Sequence, residues 1–152
     1  MSYVKGILQP HEEIKFVGSM HWVRYVPALS LALVALAIYV VGLSAGNFHG
    51  WFTVAALIVL AAALAIWAKA WFENWITEIA VTNLRVIYKS GFINRHTAEM
   101  NMDKVESVIV DQTLLGRLLG YGSVSVRGVG EGIEHLKHIA NPIALRNAIV
   151  AR

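Results

Sequence analysis

A chain of 152 residues that is 57% hydrophobic, with a mean hydropathy of +0.55, carries more apolar material than one small soluble domain needs. Its net charge is only +3, and from Lys69 onward ten basic residues are interspersed with eight acidic ones, so it lacks the single-sign patch that nucleic acid requires and no nucleic-acid partner is expected. The absence of cysteine excludes disulfides, thiolate zinc sites and cysteine nucleophiles, and nothing in the composition asks for a cofactor.

The first 24 residues are mostly polar. Gln9-Pro10-His11-Glu12-Glu13 predicts a turn, and residues 14–19 alternate enough for a strand that ends at Gly18. Such a strand needs a partner sheet, and only the chain beyond the apolar region can supply one. A hairpin is therefore expected between the first strand of a sheet and the rest of it.

That hairpin dominates the sequence. From Tyr25 through Ala68 there is no Asp, Glu, Lys or Arg, and two apolar blocks, 26–45 and 51–71, flank the break Gly46-Asn47-Phe48-His49-Gly50. About 20 helical residues at roughly 1.5 Å rise cross the roughly 30 Å hydrocarbon core of a bilayer. Leu, Ile and Val in the first block each favour insertion by about 0.3–0.6 kcal/mol, with nothing charged to oppose them. Trp22 and Tyr25, Trp51 and Phe52, and Trp67, Trp71 and Trp75 mark the ends of the blocks, as expected at headgroup level, and Lys69 can snorkel outward from the last turn. A buried α-hairpin in a soluble protein is the competing reading, but so small a chain has little with which to enclose two helices that are apolar all round. A cleaved signal peptide fits poorly, because the first block starts late, is long, and is followed by a second. Lys5, Lys15 and Arg24 precede the first block and every other Lys or Arg lies at or beyond Lys69, so the positive-inside rule predicts a two-pass protein of the cell (inner) membrane with both termini cytoplasmic. The polar residues at depth, Ser30, Tyr39, Ser44 and Thr53, are mild, which favours an anchor and assembly surface over a transport path. Gly42 and Gly46 are spaced for close helix approach, and also lie where glycine ends helices.

After the hairpin the period changes. Residues 75–81 and 85–90 are β-rich runs around a turn at Thr82-Asn83-Leu84, and Gly91 ends the second. A third run, 97–102, leads through Asp103-Lys104 into 105–111, where Val108-Ile109-Val110 suits a buried strand. Residues 113–119 predict a short helix or turn stopped by Gly120 and Gly122, too short to stand alone, so its four leucines are expected to pack on something else. Ser123-Val124-Ser125-Val126-Arg127 alternates, placing Val124 and Val126 inward and Ser123, Ser125 and Arg127 toward water. A glycine-rich turn, 128–132, connects to a last strand around 134–139. Asn141-Pro142 opens a terminal helix, 142–150, with Ile143, Ala144, Leu145, Ala148 and Ile149 available for packing. The expected fold is α+β, with segments 1–24, 25–72 and 73–152: a two-helix transmembrane hairpin plus a small curved antiparallel sheet capped by the closing helix.

Residues of types that can carry chemistry have plainer readings. His135 and His138 are three apart, which on a strand points them to opposite faces and argues against a metal site. Gly128-x-Gly130-x-Gly132 lies between two strands and lacks the strand-to-helix context of a nucleotide loop. Gly120-Tyr121-Gly122-Ser123 lacks the second glycine of a nucleophile elbow. Arg117 is suited to a partner carboxylate or a lipid phosphate, but a structural ion pair with Glu99, Glu106 or Asp111 is its expected role.

Several of these stretches together resemble a known family. Thr82-Asn83-x-Arg85-Val86-Ile87, Gly91-Phe92-Ile93-x-Arg95, Glu99, Lys104-Val105-x-Ser107-Val108, Gln112-Thr113-Leu114-Leu115-Gly116-Arg117-Leu118-Leu119-Gly120-Tyr121-Gly122 and Val124-x-Val126-x-Gly128 look like the bacterial pleckstrin-homology-like domain of membrane proteins, a family first catalogued without a function. Leu8-Gln9-Pro10-His11-Glu12-Glu13 and His21-Trp22 are similar to the leader before the spans in such proteins. The resemblance implies seven strands and a C-terminal helix. It brings no catalytic site, and the basic cluster with which eukaryotic relatives in fold bind phosphoinositides is missing.

The expected function is accordingly non-enzymatic: a membrane-anchored binding and scaffold module that assembles protein at the cytoplasmic face, either a second copy of itself or another membrane protein. Leu114, Leu115, Arg117, Leu118 and Tyr121 form its candidate partner surface. The alternative is a sensor of anionic lipid headgroups, with Arg24, Lys69, Arg85, Lys89 and Arg95 as candidate contacts.

Overall fold

The computed structural model describes residues 3–91, 96–129 and 132–151. They form two compact units: a hairpin, residues 22–72, and a domain made of residues 1–21 together with 73–152.

In the hairpin, α2 (Val26–Leu43) and α3 (His49–Ile76) are joined through a short 3-10 turn, Gly46–Phe48. Their buried residues are all small: Ala28, Ala35 and Gly42 on α2, and Ala56, Ala63 and Ala70 on α3. A spacing of seven is two turns, so each trio forms one seam along which the backbones approach closely. Gly42 shows how closely, since a Cβ built there would lie 2.4 Å from the Cβ of Phe52. Gly46, by contrast, serves the turn with φ +54. The large side chains, among them Leu29, Leu33, Leu57, Ile58 and Leu64, face away from the seam and are exposed. Both helices are long and apolar enough to cross a membrane, with mean hydropathies of 2.4 and 2.3. Helix α3 runs five residues further than residues 51–71 suggested, so Trp75 and Ile76 end a helix and do not begin a strand.

The domain opens with α1 (Tyr3–Ile7), which alternation did not announce, and β1 (Ile14–Gly18). After the hairpin come β2 (Glu78–Thr82), β3 (Arg85–Ser90), β4 (His96–Asn101), β5 (Val105–Asp111), α4 (Leu114–Leu119), β6 (Tyr121–Gly128), β7 (Gly132–Ala140) and α5 (Pro142–Val150). Two antiparallel sheets result, in the orders β1-β2-β3-β4 and β5-β6-β7. Thus β1, which precedes the hairpin, pairs with β2, which follows it, with Val17 opposite Ala80. A bridge from Met20 to Ile139 ties the end of that strand to the second sheet.

Between the sheets lies one core of Ile79, Val81, Val86, Met100, Val124, Val126, Leu136 and Ile139, closed by Leu145 and Ile149 of α5. Those two are one helical turn apart and so share a face. The rest of the expected packing face is looser, for Ile143 and Ala144 are exposed. A second cluster, Val4 against Ala80 and Ile87, covers the opposite face of β2 and β3, which is why β2 is buried on both sides. Two expectations for the second sheet change. Val108 and Val110 are only half-buried and Ile109 is exposed, because β5 is an edge strand; Ser125 is buried, because β6 runs between two neighbours and Ile109 lies directly opposite.

Candidate functional site

The run from Gln112 to Gly122 builds one rigid feature. Thr113 caps α4, its Oγ1 accepting from the Gly116 N–H at 3.1 Å. Gly120 ends the helix in the left-handed region at φ 77, where a side chain is strained. Gly116 lies against the following strand: a Cβ there would stand 2.6 Å from the Tyr121 carbonyl oxygen. That same oxygen accepts from Gln112 Nε2 at 3.0 Å, and the Asn141 N–H donates to Gly120 O at 2.9 Å, joining α4 to the start of α5. With Gly116 as its buried face, α4 turns its leucines outward. Leu114 is 80% exposed, Leu115 64%, Leu118 82% and Leu119 45%. The something else on which they were expected to pack is therefore not found within the domain.

Beside α4 is a groove of about 280 Å³ lined by Gln112, Arg117, Gly120, Asn141, Pro142, Ile143 and Ala144. Arg117 contributes the only charge among the described residues of its lining. Among the described residues no carboxylate lies within ion-pair distance of Arg117, so the expected pairing with Glu99, Glu106 or Asp111 is not formed; Glu99 is taken by Arg85. Tyr121, at the start of β6, is half-buried, with its ring 5.2 Å from that of His21 and 6.4 Å from that of His138. Sequence reasoning passed over the α5 side of this groove. The Asn141-Pro142 pair, read only as a helix start, was its local signal in the sequence.

The candidate headgroup contacts are spread over both units and beyond the described residues. Arg24 and Lys69 belong to the hairpin unit, Arg95 lies outside the described residues, and Lys89 sits on β3 between Glu78 and Thr97 in register. Arg85 is engaged elsewhere. Its Nε and one terminal nitrogen donate to the two oxygens of Glu12 at 2.9 Å each, the other terminal nitrogen donates to Glu99 at 2.7 Å, and Ile7 O accepts at 2.8 Å. Burial alone would raise the Glu12 carboxyl, but hydrogen bonds from Arg85, the Gln9 N–H and Thr82, with the guanidinium charge, outweigh it and hold Glu12 below its ordinary value. Glu12 in turn holds Arg85 above its own. Asn83 completes the joint, its Oδ1 accepting from the Glu13 N–H at 2.9 Å and its Nδ2 donating to His11 O at 3.1 Å. The leader motif around Glu12 and the Thr82-Asn83-x-Arg85 motif are thus two halves of one structural clasp.

Among the described residues there is no group of three metal-ligating side chains. His138 is in the left-handed region at a bulge of β7, and the side chain of His135 lies outside the described residues.

A family model described as Bacterial PH domain matches residues 22–149, most of the chain. The chain belongs to the bacterial PH domain family. The match begins at Trp22 and so takes in the hairpin, leaving the leader with Glu12 outside it. PH domains are generally non-catalytic binding modules. No curated protein and no solved structure matches the chain.

Proposed function

We propose that this PH domain is a non-enzymatic binding and scaffold module, anchored in the inner membrane by a two-pass hairpin and gathering protein at the cytoplasmic face. The observation that carries the reading is the groove beside α4: a concave surface with one cation and no carboxylate among the described residues of its lining. Such a lining suits an extended protein segment bearing an acidic side chain, from a second copy of the chain or another membrane protein. Confinement to a bilayer raises the effective concentration of both and lets a modest groove suffice.

Three features support the anchoring. Both helices of the hairpin are apolar on their outward faces, which lipid covers without cost. The pairing of β1 with β2 brings both flanks of the hairpin to one side of any membrane it enters. The distribution of basic residues favours the cytoplasm for that side.

The test is the mass of the intact particle in nanodiscs. The expected result is a defined multiple of 16.7 kDa or a stoichiometric second protein, lost on Arg117→Glu. A wild-type monomer without companion overturns the reading. A monomer that retains anionic lipid would favour headgroup sensing instead, although Arg85, turned to Glu12 and Glu99, is no longer among the residues that reading can use.

A further inference from the structure

We infer that α4 is a second membrane contact, with Leu114, Leu115 and Leu118 entering the hydrocarbon edge of the leaflet from which the hairpin departs. The inference goes beyond the groove and uses different side chains, but it rests on the hairpin spanning the bilayer.

The leucines cannot fold back onto their own domain. The Thr113 cap, the contact of Gly116 with the Tyr121 carbonyl, and the Gln112 hydrogen bond all fix the roll of α4 about its axis, and a turn that buried the leucines would break all three. Something outside the domain must cover them.

Their position says what. Tyr121, two residues beyond α4, has its ring 5.2 Å from that of His21, and the His21 N–H donates to His138 O at 2.7 Å. His21 is the last residue of the domain before the hairpin unit, and the next residue, Trp22, begins the apolar helical stretch. The leucine turn is thus pinned beside the point where the chain leaves for the membrane. A headgroup layer is about 5–8 Å deep on each side of the hydrocarbon core, so an exposed turn beside the exit point lies close to it. No acidic residue of α4 would be stranded by entry, and its one charge, Arg117, lines the groove. A short turn with leucines outward and a cation to one side is the composition of an interfacial wedge. By tying the end of the domain to the bilayer, it would hold the groove at a fixed height for a juxtamembrane segment.

The cysteine-free chain makes the test direct. Single variants Leu114→Cys and Leu118→Cys, both at highly exposed positions, are spin-labelled in the full chain and placed in phosphatidylcholine–phosphatidylglycerol nanodiscs. Asp103→Cys, on an exposed turn, gives the aqueous reference, and Ala61→Cys, exposed in the middle of α3, gives the hydrocarbon reference. The ratio of oxygen to nickel-chelate accessibility at 114 and 118 is expected to be several-fold above that at 103 and to approach that at 61, with no spin–spin broadening. A ratio equal to that at 103 overturns the inference. Nickel exclusion with broadening that vanishes on dilution by unlabelled chain overturns it in favour of a second copy. An aqueous ratio at 61 overturns the spanning hairpin itself, so the two failures are distinct.

Discussion

Arg85 holds two carboxylates at once, and the more buried of them, Glu12, has no side-chain exposure at all, while Arg85 retains 13%. Removing one partner of such a pair leaves the other charged and desolvated, which costs about 3–5 kcal/mol. Glu12→Ala is therefore expected to lower the melting temperature of the detergent-solubilised protein far more than Glu99→Ala, because Glu99 is 36% exposed and water replaces it. The double variant Glu12→Ala, Arg85→Met should recover much of that loss, a coupling that additive effects would not produce. The pH dependence follows from the direction of the Glu12 shift. Its folded pKa lies below the ordinary 4.5, so the clasp contributes its stability above that value and loses it as pH falls through the lower folded value. Melting temperature should thus drop on acidification below about pH 4.5 in the wild type, and less steeply in Glu12→Gln, whose amide does not titrate. Equal slopes would show that Glu12 is not held low.

At the scale of elements, close approach decides which glycines matter. Gly42 and Gly50 are both helical, yet a Cβ added at Gly42 would meet Phe52 at 2.4 Å, while one added at Gly50 would have nothing within 4 Å. Gly42→Ala must push α2 and α3 apart, an overpacking cost of about 1–3 kcal/mol. Gly50→Ala should be neutral or stabilising by up to about 1 kcal/mol. Thermal unfolding of the two variants in the same detergent checks the contrast, and similar effects would contradict the small-residue seam. The elements differed in how plainly the sequence announced them. Two long apolar blocks and the alternation around Val124 depend on nearest neighbours alone, so they were legible, as was the proline-led closing helix. Helix α1 was not, because a five-residue helix has little pattern of its own and is held by Val4 against Ala80 and Ile87. Trp75 and Ile76 looked like strand because aromatic and branched residues favour one, but helix α3 carried through them. The leucines of α4 were visible as a run, while their outward direction was not, since it depends on Gly116 meeting a carbonyl on the next strand. The clasp was hidden for a similar reason: Glu12 and Arg85 stand 73 residues apart, and nothing local pairs them.

The whole molecule is a domain whose sheet is interrupted by an apolar hairpin. Because β1 and β2 hydrogen-bond across the hairpin insertion, the chain has to return to the side it left, and any crossing by α2 requires a return crossing by α3. A single pass would place Val17 and Ala80 on opposite sides of the bilayer and forfeit both β1 and the Glu12 clasp. That constraint fixes the parity of the spans but not their direction, which depends on charge: Lys5, Lys15 and Arg24 lie before α2, and the turn Gly46–Phe48 carries no cation. Asn47 in that exposed turn and Asp103 in the domain are therefore expected on opposite sides. With no native cysteine to interfere, Asn47→Cys should react with a membrane-impermeant maleimide added outside spheroplasts, and Asp103→Cys only after lysis. The reverse pattern would invert the orientation and leave the strand pairing intact. Labelling of both from outside would mean that the hairpin does not cross, and would remove the anchor on which the membrane reading depends.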